Sequence, residues 1–556
     1  MTHENTSGPP SVRSVLLVAA MPILCLAPFA NKAFHLDDTV FLWVARQIHV
    51  KPLDFFGFNA NWYDRYAPMF VVNKNPPGVS YCIALVTALF GERELPLHVA
   101  FLLPAAAVGL GTFVLARRFC ARPAWAALAC VLTPAFLVSS SNIMSDTLML
   151  ALFLWALALW VYGVEARRLS ALILAAILIA LAALTKYFAV GLIPLLAIYA
   201  LVRKRGLGWG LFTLLIPMVV LAGYEWYTYR LYGMGMLTEA GDFAMLPDWH
   251  KAIWPVTRTI TTLGFTGGCL VVVLCYATFL WSLRAWVLAL VLALCSLGAA
   301  LYLDPENTAM AVREGQVRWL FLAQCLLFVA GGLFVVDLAV TDLWRSRDAA
   351  SLLLFLWVAG VLFFAAAINW TTAGRTILPM APAVGILLAR RIDDRAKTGP
   401  KARLGRGALP LIPAACIALG ATWADYAAAN SARDAAAVLH HTLKDTGAPV
   451  FYMGHWGFQF YMDAYGAQSL DFDKPVPFGA IIVVPQNNYS TVNLSEPFAR
   501  PYFALKLPVC RWLATVRKDV GAAFYCGFGV ELPYVFGVTP PEEYRVYIVN
   551  GPASTP

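Results

Sequence analysis

The chain has 556 residues, 60% of them hydrophobic and only 13% charged, with a mean hydropathy of +0.68 and a formal net charge of +9. A soluble protein of this size carries roughly a quarter charged residues, so the composition excludes an ordinary cytosolic enzyme, a disordered chain and a basic nucleic-acid-binding domain. The 11 cysteines form no CxxC pair or zinc spacing, and Cys25, Cys130, Cys269 and Cys325 lie in apolar runs where a thiol acts as a small hydrophobe. The chain reads as a polytopic membrane protein.

An α-helix crosses a bilayer in about 20 mostly apolar residues. Thirteen runs of that kind follow in chain order: 12–30, 97–116, 124–139, 147–164, 169–185, 187–202, 211–229, 260–283, 285–303, 319–336, 351–368, 376–389 and 408–424. The first follows a polar stretch and has no small-residue cleavage site, so it is expected to be a retained helix, not a signal peptide. The apolar run 76–90 is too short for a comfortable span. Together with the amphipathic stretch 39–49, it is expected to lie in the interface plane. Arg117, Arg118, Arg122, Arg167, Arg168, Arg203, Lys204, Arg205, Arg345, Arg347 and the basic run 390–406 then fall on one side. With Arg13 and Arg284, 19 of the 41 basic residues sit in short segments that the positive-inside rule assigns to the cytoplasm. The N-terminus is then cytoplasmic, residues 31–96 form the first outer loop, and the C-terminus lies outside. The expected setting is a multi-pass cell membrane, read as a bacterial inner membrane.

Composition changes near residue 425. Residues 1–424 are expected to form the transmembrane domain and 425–556 a small extracytoplasmic α/β domain, which holds nine basic and eleven acidic residues. Within it 431–446 has helical spacing, and 450–453, 481–484 and 544–549 read as strands. Cys510 and Cys526 both lie there and are the candidate pair for a disulfide, which the sequence leaves open. His440 and His441 read as solvated surface. His455, Trp456 and Tyr461 read either as core or as a sugar-binding wall. Residues 264–268 are glycine-bearing but carry neither a phosphate-loop lysine nor a dinucleotide-binding pattern.

Carboxylates at an interface are costly and usually functional. Asp37 and Asp38 follow the first span in His35-Leu36-Asp37-Asp38-Thr39, and Asp146 opens a later span in Ser145-Asp146-Thr147. The local alternative is that Asp38 and Asp146 merely cap helices. Lys186, in Leu184-Thr185-Lys186-Tyr187, and Arg375, before Leu378-Pro379, sit at outer boundaries too. A lone lysine there would simply snorkel to lipid phosphates. Their shared side favours chemistry, because a carboxylate deprotonates an attacking hydroxyl and cations stabilise a departing phosphate. No cofactor requirement is evident. If Asp37, Asp38 and Asp146 converge, they offer oxygen ligands to a divalent ion, although the sequence shows no metal-ligand constellation.

These residues resemble a family. Leu36-Asp37-Asp38 is similar to the Asp-Glu motif in the first outer loop of GT-C glycosyltransferases, in the branch of protein O-mannosyltransferases and aminoarabinose transferases. Asn75-Pro76-Pro77-Gly78 resembles that group's Pro-Pro motif, Ser145-Asp146-Thr147-Leu148 its second acidic site, and Leu184-Thr185-Lys186-Tyr187 its Thr-Lys turn. Arg375-Thr376-Ile377-Leu378-Pro379-Met380-Ala381-Pro382 is similar to its Arg-Tyr-x-Leu-Pro-x-x-Pro helix start. The ordered set spans roughly residues 30–390. Asp38 stands where the family has glutamate, and Asn75, beside Lys74, where the aminoarabinose branch tends to have lysine.

The resemblance implies a GT-C-like bundle with interfacial helices. Such an enzyme moves a sugar from a polyprenyl-phosphate donor to a lipid, glycan or protein acceptor outside the cytoplasm, with inversion. Asp37 would be the general base, Asp38 and Asp146 would position the acceptor and donor, and Lys186 and Arg375 would hold the lipid phosphate. Lys74 and Asn75 would belong to the acceptor loop. The rival reading is a transporter or flippase for a lipid-linked saccharide, for which internal repeats and mid-span charges are expected and no clear repeat is seen. A third, a membrane-anchored sensor, leaves the paired acids of the first loop unexplained.

Overall fold

The computed structural model describes residues 11–203, 208–245, 253–313, 316–398, 408–492 and 494–550; Lys204, Arg205 and residues 399–406 of the basic run lie outside the described residues. Among the described residues eight helices are long and apolar enough to cross a membrane: Val12–Phe29, Glu94–Phe119, Ser145–Ala166, Gly210–Tyr232, Leu283–Leu303, Trp319–Ser346, Ala349–Ile368 and Leu411–Thr446. Two further apolar pairs are bent, Pro123–Val131 with Pro134–Ser140 by 61° and Pro255–Cys269 with Val272–Leu280 by 85°. At the first bend Pro134 supplies no N–H and drives Thr133 into an extended conformation, so the helix must restart; the Thr133 hydroxyl then accepts from Phe136 N. The expected runs 169–185, 187–202 and 376–389 are also helical, on Leu169–Thr185, Tyr187–Val202 and the broken segment Gly374–Ile377, Leu378–Met380 and Ala381–Thr398. All thirteen apolar runs therefore fall on helices, and eight to ten helices meet the length and apolarity of a crossing by themselves.

The charge pattern has a direct structural counterpart. Asp146 and Glu165 lie near opposite ends of helix Ser145–Ala166. At 1.5 Å per residue they stand about 29 Å apart, close to the thickness of a bilayer's hydrocarbon core. At the Glu165 end, Arg118 and Arg203 reach its carboxylate at 2.5 and 2.7 Å. Arg122 pairs with Asp393 at 2.7 Å, and Arg390 with Asp342 at 2.8 Å. These described members of the basic clusters are thus tied together by acidic partners, while Asp146 lies at the other end of its helix.

In the first loop, helix Asp38–Val50, the hairpin Asn59–Asn61 with Tyr66–Pro68, and helix Gly78–Phe90 follow one another. Both expected interfacial helices are present, and the second has only 13 residues, too few to span.

The C-terminal region does not begin with a fresh helix. Leu411–Leu443 is one helix of 33 residues running through position 425, so the stretch expected at 431–446 is its continuation. Beyond it lies a five-stranded mixed sheet in the order Gln468–Ser469, Val450–Tyr452, Ile481–Pro485, Glu542–Val549, Ala499–Leu507. The first three strands are parallel, and Glu542–Val549 runs antiparallel to both its neighbours. Ala499–Leu507, a strand the sequence analysis does not include, carries Pro501; at a sheet edge its missing N–H is tolerated. Val483, Tyr544 and Val546 join the same buried core as the bundle, while Ile482, Val484 and Tyr547 close a second, smaller core with Met453 and Leu470. The sheet is therefore fused to the helices. Cys510 and Cys526 are both free, so the candidate disulfide is not formed: the Cys526 sulfur instead accepts a contact from the Thr371 hydroxyl at 3.4 Å.

Candidate active site

The turn after the first span is bent by a strained residue. Leu36 has φ +49°, the left-handed region that a branched side chain rarely occupies, and it is buried. The strain is held by Asp38, whose carboxylate accepts from His35 N at 2.9 Å and from Ile143 N at 3.1 Å. Asp38 is fully buried and both of its oxygens are occupied by backbone donors. Burial pushes its carboxyl up to about 7, against the two N–H bonds that pull the other way. It fastens the loop to the break before helix Ser145–Ala166, which is a positioning role. Asp37, by contrast, is 27% exposed.

Four of the expected residues come together as two ion pairs. Arg375 Nη1 donates to Asp37 Oδ2 at 2.6 Å, and Lys186 Nζ donates to Asp146 Oδ1. Arg375 Nη1 also lies 3.5 Å from the sulfur of Met144, the N-cap residue of the helix that carries Asp146, so the two pairs are neighbours. Local structure sets each sign. Asp146 lies in the first turn of its helix and Lys186 caps the C-terminus of Leu169–Thr185, so both charges complement helix dipoles. The capping alternative fails for both acids: neither side chain caps a helix N-terminus, since the N-cap residues are Asp37 and Met144 and neither makes a side-chain cap. Nor is Lys186 an isolated snorkelling lysine. The Arg375 contacts to Asp37 and Met144 both use Nη1; among the described residues Nε and Nη2 have no hydrogen-bond partner, and the side chain is 22% exposed.

The motifs also explain one another. A side chain at Gly78 would place Cβ 2.5 Å from Leu184 O and 3.0 Å from Thr185 Cα. The start of helix Gly78–Phe90 therefore rests directly on the turn that presents Lys186. Lys74 and Asn75 do not join the cluster: Lys74 pairs with Glu239 at 2.6 Å and lies over the Phe243 ring, and Asn75 N donates to Asn73 Oδ1 at 2.9 Å. The three aspartates do not converge as oxygen ligands, because Asp38 faces inward, and no group of three His, Cys, Asp or Glu side chains able to hold a metal occurs among the described residues.

Two features were missed from the sequence. The first is a strap from the C-terminal region. Thr372 and Gly527 exchange backbone hydrogen bonds at 3.1 and 2.8 Å, and Gly374 N donates to Phe524 O at 2.6 Å. The Arg375 guanidinium lies 6.0 Å from the centre of the Tyr525 ring. Residues 524–527 thus hold the segment that presents Arg375, and a Cβ at Gly374 would meet the Phe524 ring at 2.5 Å. Such long-range pairing leaves no local pattern.

The second is a buried polar network behind the site. Lys32 Nζ donates to Asp425 Oδ2 at 2.6 Å, Asn142 Oδ1 at 2.8 Å and Ser141 Oγ at 3.1 Å. Asp425 also accepts from Thr515 at 2.9 Å and Tyr525 at 2.7 Å. Beside it burial pushes His35 down to about 4, so its ring stays neutral at 3.7 Å from Asp425. The sequence signal was present: Lys32 and Asp425 are opposite charges immediately flanking the first and last apolar runs. Of the histidines and aromatics singled out earlier, His440 and His441 are exposed, whereas His455 and Tyr461 are buried, with Tyr461 donating to Glu94 at 2.9 Å.

Residues 74–226 match the family model for dolichyl-phosphate-mannose-protein mannosyltransferases. This stretch carries the Pro-Pro, Asp146 and Lys186 motifs, and the match bears out the resemblance to lipid-linked-sugar glycosyltransferases; Asp37, Asp38 and Arg375 lie outside it. No curated protein sequence matches the chain. Among solved structures, ArnT from Cupriavidus metallidurans bound to undecaprenyl phosphate is similar at 15% identity and TM-score 0.42, over 86% of this chain and 94% of that one. The Archaeoglobus fulgidus oligosaccharyltransferase tethered to an acceptor peptide is similar at 13% identity and TM-score 0.46, over 83% of this chain and 64% of that one. The arabinofuranosyltransferase AftD from Mycobacteria is similar at 15% identity and TM-score 0.43, over 99% of this chain and 40% of that one.

Proposed function

We propose that this protein is a membrane glycosyltransferase that moves a sugar from a polyprenyl-phosphate donor to an acceptor hydroxyl, with inversion, at the bundle end away from the cytoplasm. The observation that carries the reading is the two ion pairs, Asp37–Arg375 and Asp146–Lys186, made neighbours by the contact of Arg375 with Met144. The positive-inside rule assigns the opposite, arginine-rich end to the cytoplasm.

In the reaction, Asp37 accepts the proton of the acceptor hydroxyl as its oxygen bonds to the anomeric carbon. The bond from that carbon to the phosphate oxygen breaks, and the polyprenyl phosphate leaves with the electron pair. Arg375, with Nε and Nη2 unshared, and Lys186 stabilise that growing charge. In the unliganded site Asp37 and Asp146 neutralise the two cations, so phosphate binding displaces carboxylate contacts and frees Asp37 to act as a base. Asp146 orients the donor through Lys186, and Asp38 fixes the loop. The sheet region that follows helix Leu411–Leu443 lies on the extracytoplasmic side, and its strap at 524–527 sets the position of Arg375.

Native mass spectrometry of the purified protein is expected to find a co-bound polyprenyl phosphate. Lys186→Ala is expected to weaken donor binding about tenfold, which is the loss of one charge-assisted contact of about 1.4 kcal/mol. Unchanged donor affinity in that variant would reject the phosphate-binding role.

A further inference from the structure

The charge cluster does not use a pair of tyrosines that lies across from the first turn of helix Asp38–Val50: Thr39 in that turn donates to Trp456 O, and His455 beside it packs on Tyr489. Tyr63 is 43% exposed and Tyr489 45%, and their rings meet edge to face with centroids 6.4 Å apart. Other rings around them are buried: Trp62 packs on His455 at 5.4 Å, and His455, 1% exposed, backs Tyr489 at 6.2 Å.

Both tyrosines are held by rigid backbone. Tyr63 sits at the tip of the hairpin in the first loop, beside Asp64 at φ +59°. The tip is pinned to the C-terminal region by Asn61 Nδ2 to Leu470 O, Gln459 Nε2 to Asn61 O and Phe472 N to Asp64 O, each 2.9 Å. Tyr489 follows Asn488, whose Oδ1 accepts from Tyr489 N at 2.7 Å and from His455 N at 2.9 Å, while its Nδ2 donates to His455 O at 3.1 Å. The same turn is tied to the first turn of helix Asp38–Val50 by the Thr39 hydroxyl, which donates to Trp456 O at 2.9 Å. Burial above all pushes the Tyr63 hydroxyl up to about 12, so it stays protonated and can donate a hydrogen bond.

We infer that Tyr63 and Tyr489 form a stacking wall for a sugar ring of the acceptor, so that the acceptor is a saccharide whose hydroxyl is thereby presented to Asp37. The wall offers flat ring faces and phenol hydroxyls on side chains with little rotamer entropy to lose. That surface complements a sugar, which shows C–H faces and a rim of hydroxyls. Its scaffold joins the first loop to the C-terminal region, which gives that region a role in acceptor choice. The inference rests on the glycosyltransferase reading and specifies its acceptor.

The test uses the full-length protein with a radiolabelled donor, a set of octyl hexosides and pentosides as acceptors, and a serine- and threonine-rich peptide as the competitor class. Sugar released to water is measured in parallel. Transfer to a glycoside is expected, and Tyr63→Ala and Tyr489→Ala are each expected to raise its KM about tenfold. Donor binding should stay at the wild-type level, and Tyr63→Phe should keep most of the glycoside affinity. Transfer to the peptide but to no glycoside overturns the saccharide assignment, as do alanine variants with a wild-type KM. If the wild-type protein neither releases nor transfers sugar from any donor, the glycosyltransferase reading fails first and the wall falls with it.

Discussion

Gly78→Ala tests the contact that joins two motifs. The added Cβ would stand 2.5 Å from the carbonyl oxygen of Leu184, and the nearest atoms at Thr185 are backbone as well, so no side chain can turn away. Reaching an ordinary contact of about 3.4 Å requires a retreat of about 0.9 Å by helix Gly78–Phe90 or by the turn before Lys186. Overpacking of this kind costs about 1–3 kcal/mol of stability. A shift near 1 Å in a positioning element costs on the order of a hundredfold in rate. In detergent or nanodiscs, single-turnover donor cleavage should fall about 10- to 100-fold, with a lower Tm for the variant. Gly191→Ala is the control, because a Cβ there meets nothing within 4 Å although it lies five residues beyond Lys186. It should behave as wild type. A Gly78→Ala protein with the wild-type cleavage rate would refute the idea that this contact sets the Lys186 turn.

Two further outcomes follow from the groups behind the site. Lys32→Met leaves Asp425 buried without its cation and should destabilise the fold by about 3–5 kcal/mol in a chemical-unfolding titration, with much of the loss recovered in Lys32→Met/Asp425→Leu. The raised carboxyl of Asp38 sets a sign for pH: between its unfolded value near 3.9 and about 7 the unfolded chain has lost a proton that the folded one keeps. Its contribution to stability is therefore full below about pH 4 and is lost as pH rises through about 7, and the Tm difference between wild type and Asp38→Asn should shrink or reverse across that window.

Helices were legible because apolar runs are local patterns, and the clustering of basic residues follows them: Arg118 and Arg203 meet at Glu165, and Arg390 donates to Phe119 O, next to Arg118, at 3.2 Å. The meeting of Asp37 with Arg375 and of Asp146 with Lys186 was legible because charges at the ends of apolar runs are rare. What was not legible depends on contacts between distant segments. The boundary at 425 vanished into a 33-residue helix, since alanine-rich polar sequence continues a helix as readily as it begins one. The strap at 524–527 and the edge strand with Pro501 exist only through pairing with partners far along the chain. Asp38 looked like a twin of Asp37, yet its burial and two backbone donors make it a fastener. Lys74 likewise finds Glu239, a partner 165 residues away that no motif spacing reveals.

The central claim is that Asp37 takes the proton of the attacking hydroxyl while its neighbours hold the donor. Asp37→Asn keeps the size and one oxygen acceptor but removes the base. In a transfer assay with the co-purifying donor, the account predicts loss of sugar transfer by at least about a hundredfold, with donor affinity at or above wild type because the carboxylate no longer competes for Arg375. Transfer at the wild-type rate by Asp37→Asn would contradict it.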